Sequence, residues 1–375
     1  MIKSRLRDSL VLLLAALLTG CSNAGYYAQA IGGHFAVMRA ATPIARLMSD
    51  PASDPRLKSK LHEVQAIRDF ASRNLALPDN GSYRAYADLG RPYVVWNVFA
   101  APELSLKARN WCLLMVGCVS YRGYYDQRDA EALAAELREQ GYDTYVAGVP
   151  AYSTLGYFDD PVLNTFLRFG TPEVARIVFH ELAHQVVFVN DDSLFNESFA
   201  TALENEGMRR WLASNAAPGQ RAIFETQRLR KAGFAALMHA YRDRFRALYD
   251  TDRADGAGPT VAQRDAKAAL FAALRSDYAE LKASWDGYAG YDAFFGDDLN
   301  NAKLASLALY NELVPAFEAL LARLDYDLPQ FYRSVSQLAA LDKDARRQAL
   351  TRLMPAADET RQAQGSVALG AAEVR

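Results

Sequence analysis

At 375 residues the chain has room for one large domain or two ordinary ones, and its 51% hydrophobic and 23% charged composition is that of a globular protein. The formal net charge of −2 lacks the basic excess that neutralising phosphates demands, which excludes nucleic acid as the expected partner. With only three cysteines and five histidines in the chain, the positions of those few metal-binding side chains carry information.

The N-terminus reads as a signal peptide over residues 1–20: Lys3, Arg5 and Arg7, then an apolar run from Leu10 to Leu18 that is too short to span a bilayer comfortably. Its ending, Leu18-Thr19-Gly20-Cys21, resembles the bacterial lipobox, which implies that Cys21 is lipid-modified and becomes the first mature residue. Ser22 follows rather than aspartate, so the resemblance implies the outer membrane, with the body facing the periplasm. The alternative is a plain signal peptide with a chance cysteine. In such an oxidising compartment Cys112 and Cys118 read as a disulfide; two free thiols or a soft metal site are the alternatives, though no histidine or third cysteine lies near.

Residues 21–160 read as an N-terminal α+β region with a small sheet. A helical stretch ends near Met48, and Leu61, Val64, Ile67 and Phe70 recur at threes on a helix from Leu57 to Leu75. Strand signals follow at Tyr93–Phe99, Leu113–Tyr121 and Tyr142–Val149, with a helix over Arg128–Gln140 between the last two. If Tyr145–Thr154 lies at the edge of that sheet, an extended peptide can add to it through backbone hydrogen bonds; otherwise it is an ordinary internal strand and turn. Residues 161–355 read as a helical catalytic region. Helices are expected over Ile223–Tyr249, Val261–Trp285, Leu304–Leu324 and Leu328–Leu350, and a loosely ordered tail over 356–375.

Phe179-His180-Glu181-Leu182-Ala183-His184 carries the chemistry. Thr171-Pro172-Glu173 reads as a helix start, with threonine as N-cap and proline first in the helix, and on that helix His180 and His184 stand four apart on one side. Two imidazoles so placed can hold one Zn²⁺ per chain, with Glu181 beside the ion as general base. A catalytic zinc keeps three protein ligands and one water, and it lowers the pKa of that water from about 15.7 toward 7. Glu197 is the leading third ligand, following His184 after twelve intervening residues; Asp191, Asp192 and Glu204 compete for the role. Glu204 and Thr201 share one side of the next helix with Glu197 and would orient a histidine.

His180-Glu181-Leu182-Ala183-His184 followed by Asn196-Glu197-Ser198-Phe199-Ala200 is similar to the gluzincin pattern, in which the glutamate of the Asn-Glu pair is the third ligand. Over nearly the whole mature chain, through Tyr121-Arg122-Gly123-Tyr124, Ala151–Pro161, the zinc motif, Asn300-Asn301-Ala302 and Val314-Pro315-Ala316-Phe317, the sequence resembles the bacterial Putative aminopeptidase family. The resemblance implies an α+β, zincin-like metallopeptidase with peptide or protein substrates. Tyr310 is the candidate phenol for stabilising an oxyanion, with Tyr152 and Tyr157 as competitors. No Gly-x-Met-Glu-Asn segment is present to hold a free amine, so an envelope endopeptidase and a non-catalytic scaffold with a structural metal stand as rivals; an intact Glu181 argues against the scaffold. The sequence leaves the oligomeric state unknown.

Overall fold

The computed structural model describes residues 24–113, 117–215, 219–250, 259–307 and 313–354. The expectations placed on Cys21 and Tyr310 lie outside these residues.

A helix over residues 24–40 (α1) opens the described chain, followed by β1 (Thr42–Pro43), α2 (Ile44–Ser49) and α3 (Pro55–Leu75). Asp54 caps α3 by accepting from the Arg56 amide at 2.9 Å, Pro55 stands in its first turn, and Ala76 ends it in the left-handed region. Leu61, Val64, Ile67, Phe70 and Leu75 bury one side of the helix, as the spacing of threes and fours requires.

Next come β2 (Ala85–Ala87), β3 (Val95–Pro102), β4 (Trp111–Leu113), β5 (Gly117–Val119), β6 (Arg122–Tyr124), α4 (Gln127–Glu139) and β7 (Tyr142–Val149). β3 is the centre of an antiparallel sheet in the order β6-β3-β7. Both of its faces are covered, which is why it reads as an apolar run rather than an alternation. Trp96, Val98 and Ala100 pack on Ala130, Ala134 and Leu137 of α4, whereas Phe99 and Ala101 pack on Ala302 and Ala305 from the far end of the chain. β4 and β5 form a hairpin in which Cys112 faces Cys118, and the two are joined as a disulfide.

The remaining elements are β8 (Val162–Leu163), α5 (Asn164–Leu167), α6 (Thr171–Ala183), α7 (Ser193–Asn215), α8 (Gln220–Tyr249), α9 (Val261–Ser284), α10 (Asn301–Ser306), α11 (Val314–Arg323), α12 (Leu328–Ala339) and α13 (Lys343–Leu353). β8 closes a second sheet, β1-β2-β8. The protein is α+β and mostly helical, as expected. Two of the expected helices are shorter than their apolar patterns: Leu304–Leu324 is represented by α10 and α11, and Leu328–Leu350 divides because Asp342 accepts from the Asp344 and Ala345 amides and so starts α13 afresh.

α7 is the central helix, buried on nearly every side from Phe195 to Leu212. Gly207 lets it approach α3 and α6: a Cβ there would stand 2.8 Å from the Phe179 ring and 2.9 Å from Leu75. The main core runs from Val37 to Leu350 and draws on residues either side of position 160. A second apolar cluster joins α8 to α9 through Phe234, Met238, Tyr241, Phe245, Phe271 and Leu274. Among the described residues no helix is long and apolar enough to cross a membrane.

Candidate metal centre

α6 is buried through Val174, Ile177, Val178, Phe179 and Leu182, which orients His180 in its last turn. Gly170, not Thr171, occupies the N-cap; Thr171 is already helical and its hydroxyl bonds Glu63 of α3 instead. The helix proper ends at Ala183, yet His184 keeps helical angles (φ −61°, ψ −21°), so the four-residue spacing still stacks the two imidazoles. Their ring centroids lie 4.9 Å apart.

Beyond His184 the chain turns and re-enters as α7. Asp192 starts that helix by accepting from the Phe195 amide at 3.2 Å, and Arg346 of α13 pairs with its carboxylate at 2.9 Å. Asn196 holds the intervening loop: its side chain accepts from the Val189 amide and donates to the Val189 carbonyl, both at 2.8 Å. The asparagine of the Asn-Glu pair therefore sets where Glu197 stands relative to the histidines. Gln185, next to His184, is held in turn by the Asn80 amide at 2.8 Å and donates to the Ser82 hydroxyl at 3.1 Å.

Glu197 reaches both imidazoles, with Oε2 3.3 Å from His180 Nε2 and Oε1 3.7 Å from His184 Nε2. Ligand atoms of a tetrahedral zinc site stand roughly 3.3 Å apart, so this triangle fits such an ion. Among the described residues His180, His184 and Glu197 are the group of three that could hold a metal, all ligand atoms lying within 4.8 Å of one another. Asp191 and Asp192 are engaged elsewhere, the first with the Cys118 amide and the second with Arg346 and the start of α7.

Glu204 Oε2 lies 3.0 Å from His180 Nδ1, in direct hydrogen-bond contact, which leaves Nε2 aimed at Glu197. Arg176 donates to Glu204 at 2.9 Å and grips Glu173 with two further hydrogen bonds, while Lys231 stands 3.7 Å from the other Glu204 oxygen. Burial alone would raise the Glu204 carboxyl, but Arg176, His180 and Lys231 bring it down to about 2. Burial would likewise lower His180; contact with Glu197 and Glu204 lifts it to about 10 instead. His184, with fewer partners, is pulled by burial to about 4.

Glu181 makes no such hydrogen bond or ion pair among the described residues. Burial raises its carboxyl to about 7, helped by the charges of Glu197 and Asp160 against the opposing pull of His180. Two tyrosines that sequence reasoning did not single out stand in its electrostatic reach. Tyr83, 2% exposed, has a buried hydroxyl without a hydrogen-bond partner among the described residues, and Tyr121 feels both Glu197 and Glu181. Tyr121 falls in a block that carries the family resemblance, but with 20 tyrosines in the chain no local pattern assigns either one to the centre. Of the competitors for Tyr310, Tyr152 bonds His34 Nδ1 at 3.0 Å and Tyr157 is 76% exposed.

A cavity of 910 Å³ opens on the His180 side of the centre, with neither His184 nor Glu197 in its lining. His180, Glu181, Thr201 and Glu204 line it, together with Val149, Pro150 and Ala151 at the end of edge strand β7 and one side of α8.

The sequence model of the family described as Putative aminopeptidase matches residues 25–350. The chain belongs to that family. The match begins in α1 and ends in α13, so the Putative aminopeptidase pattern takes in the sheet, the centre and the helices around it, and its name points to peptidase activity on peptide substrates. No curated protein and no solved structure matches the chain.

Proposed function

We propose that the protein is a zinc-dependent peptidase, an aminopeptidase as its family's name suggests, tethered to the bacterial envelope through Cys21. The observation that carries this reading is the His180–His184–Glu197 triangle with an unshared carboxyl, Glu181, next to it on the cavity wall. His180, His184 and Glu197 would hold the ion, which when bound supplies a Lewis acid that acidifies water and polarises the scissile carbonyl. Glu204 fixes the tautomer and direction of His180, and Arg176 fixes Glu204. Glu181 takes the proton of the attacking water and returns it to the leaving nitrogen, a task suited to a carboxyl that burial has brought near neutrality. The β7 edge beside the centre offers backbone groups along which an extended peptide can pair.

A second reading, endopeptidase, is favoured by one observation. The carboxylates among the described residues lining the cavity are Glu181 and Glu204, the second already held by Arg176, and neither is spare to hold a free amino terminus. Zinc content, measured together with cleavage of matched peptides bearing free or blocked N-termini, tests both. Cutting confined to free N-termini supports the aminopeptidase, cutting of blocked peptides the endopeptidase, and zinc without cleavage of either sinks the peptidase reading.

A further inference from the structure

α1 is fastened to the body along one side only. Gln29 donates to the Gly123 carbonyl at 3.3 Å and accepts from the Tyr125 amide at 3.1 Å, the Arg122 guanidinium lies 4.1 Å from the Tyr26 ring, and Val37 is buried. On the other side Ala24, Ala28, Ile31 and Phe35 recur at spacings of four, three and four, so they form one stripe, and all four are exposed. A helix side that faces water ordinarily carries charge. From Ser22 to Met38 the chain has no Lys, Arg, Asp or Glu, and the first charge on the stripe is Arg39 at the helix end.

A second segment extends the apolar surface. In the loop after β7, the Thr154 carbonyl accepts from the Tyr157 amide at 3.0 Å and its hydroxyl from the Phe158 amide at 3.2 Å, closing a turn through Leu155 and Gly156, both in the left-handed region. That turn presents Tyr157, 76% exposed, and Phe158, 45% exposed, beside Ile31 at 57% and Phe35 at 47%. The Phe158 ring stands 4.6 Å from the His34 ring, which is 5.7 Å from Phe35, so helix and turn make one patch. The neighbouring Asp159 lies against Gly81.

Single exposed apolar side chains are ordinary; a joined patch on a helix without charge marks a surface that something covers. Where α1 begins says what. Cys21, which the lipobox resemblance makes a lipid anchor, is three residues before Ala24, a span of about 11 Å at most. With that anchor in the bilayer, the start of the stripe is held at its surface, in the layer that accepts apolar helix sides and aromatic rings.

We propose that the outer side of α1, together with Tyr157 and Phe158, lies in the surface layer of the bilayer. The lipid supplies attachment and the patch supplies orientation. The docked turn runs on from Ala151, which lines the cavity, and its Gly156 lies against Gln185 beside His184, so the metal centre is held in a fixed direction near the membrane. The proposal rests on the tether for its choice of occupant and is independent of the peptidase reading.

The test places the lipidated full chain on vesicles of phosphatidylethanolamine and phosphatidylglycerol, with a polarity-sensitive fluorophore on one introduced cysteine. The positions are Phe35→Cys, Phe158→Cys and, as an exposed control outside the patch, Ile223→Cys. Cys112 and Cys118 are joined and Cys21 carries lipid, which leaves one thiol to label. On vesicles the labels at 35 and 158 should shift to the blue, lose several-fold of their quenching by aqueous iodide, and gain quenching by lipids with nitroxide on the acyl chain. The label at 223 should change in none of these. Position 158 decides, because it is far along the chain from the anchor. Ile31→Asp with Phe35→Asp, both at exposed positions, should return the 158 label to water with the melting temperature unchanged. A 158 label as wet as that at 223 overturns the proposal, and so does one that stays in lipid in the double aspartate variant. Shielding from iodide without quenching by the nitroxide lipids overturns it too, since a second copy or the apolar run Leu10–Leu18 would then cover the patch. Intact mass reports the lipid on Cys21 separately. Where that lipid is missing, a chain that floats with the vesicles and keeps its 158 label dry removes the tether and leaves the patch standing, whereas one that does not float removes both.

Discussion

Asp160 and Glu181 illustrate how burial, rather than sequence, sets the behaviour of a carboxyl. Asp160 is 2% exposed, and burial raises it to about 6 even though the Thr154 amide donates to it at 2.9 Å. Its unfolded value is near 3.8, so between about pH 4 and 6 the unfolded chain releases this proton while the folded chain keeps it. The stability that protonated Asp160 lends is thus complete below pH 4, falls as pH rises, and is gone above 6. Asp160→Asn keeps an acceptor for Thr154, so it should be more stable than the parent at pH 7 by on the order of 1–2 kcal/mol, the gap closing by pH 4. Urea denaturation across that range checks this, and a gap independent of pH would contradict it. At Glu181 the expectation concerns rate: Glu181→Gln should lower turnover about 10²- to 10⁴-fold with zinc content unchanged, as read by peptide cleavage and elemental analysis. Full activity in that variant would remove Glu181 from the mechanism.

At the scale of elements, the centre depends on how two helices are joined. α6 brings the histidines and α7 brings Glu197 and Glu204, and the loop between them is pinned by the paired bonds from Asn196 to Val189. Asn196→Ala leaves both Val189 groups without these partners, which costs about 1–3 kcal/mol. The same change frees the loop that spaces His184 from Glu197, so zinc affinity should fall alongside the melting temperature. A variant that melts earlier but holds zinc as tightly as the parent would show that the helices find their spacing without the loop. Elsewhere, capping chemistry accounts for what periodicity overlooked: Asp342 divides the C-terminal apolar pattern into α12 and α13.

For the whole molecule, a bound ion would tie α6 to α7 across the main core. Ligand linkage then stabilises the folded state, by about 4 kcal/mol at a thousandfold excess over Kd. Chelation should therefore lower the melting temperature by several degrees, reversibly on adding zinc, and an unchanged melting curve would argue against a resident ion. The tether is a separate proposal. Cys21→Ser should move the protein from the membrane fraction to the soluble one, and its persistence in membranes would point to another means of attachment.

Much of this was legible in the chain. α3, α4, β7, α8 and α9 lie within a few residues of where apolar spacing places them, because each buries one side against a neighbour and that burial imprints the helical or strand period. The two histidines and Glu181 could be read together because their spacing is local to one helix turn. Glu197 was one of four candidates, and only tertiary structure separates them, by drawing Asp191 and Asp192 into other bonds and setting Glu204 behind His180. The short strands β1, β2, β6 and β8, the approach of Tyr83 and Tyr121 to the centre, and the side of α8 that lines the cavity were not legible at all. Each depends on which distant segments meet. A chain records the period of its own burial, but the partner across the gap is chosen by packing.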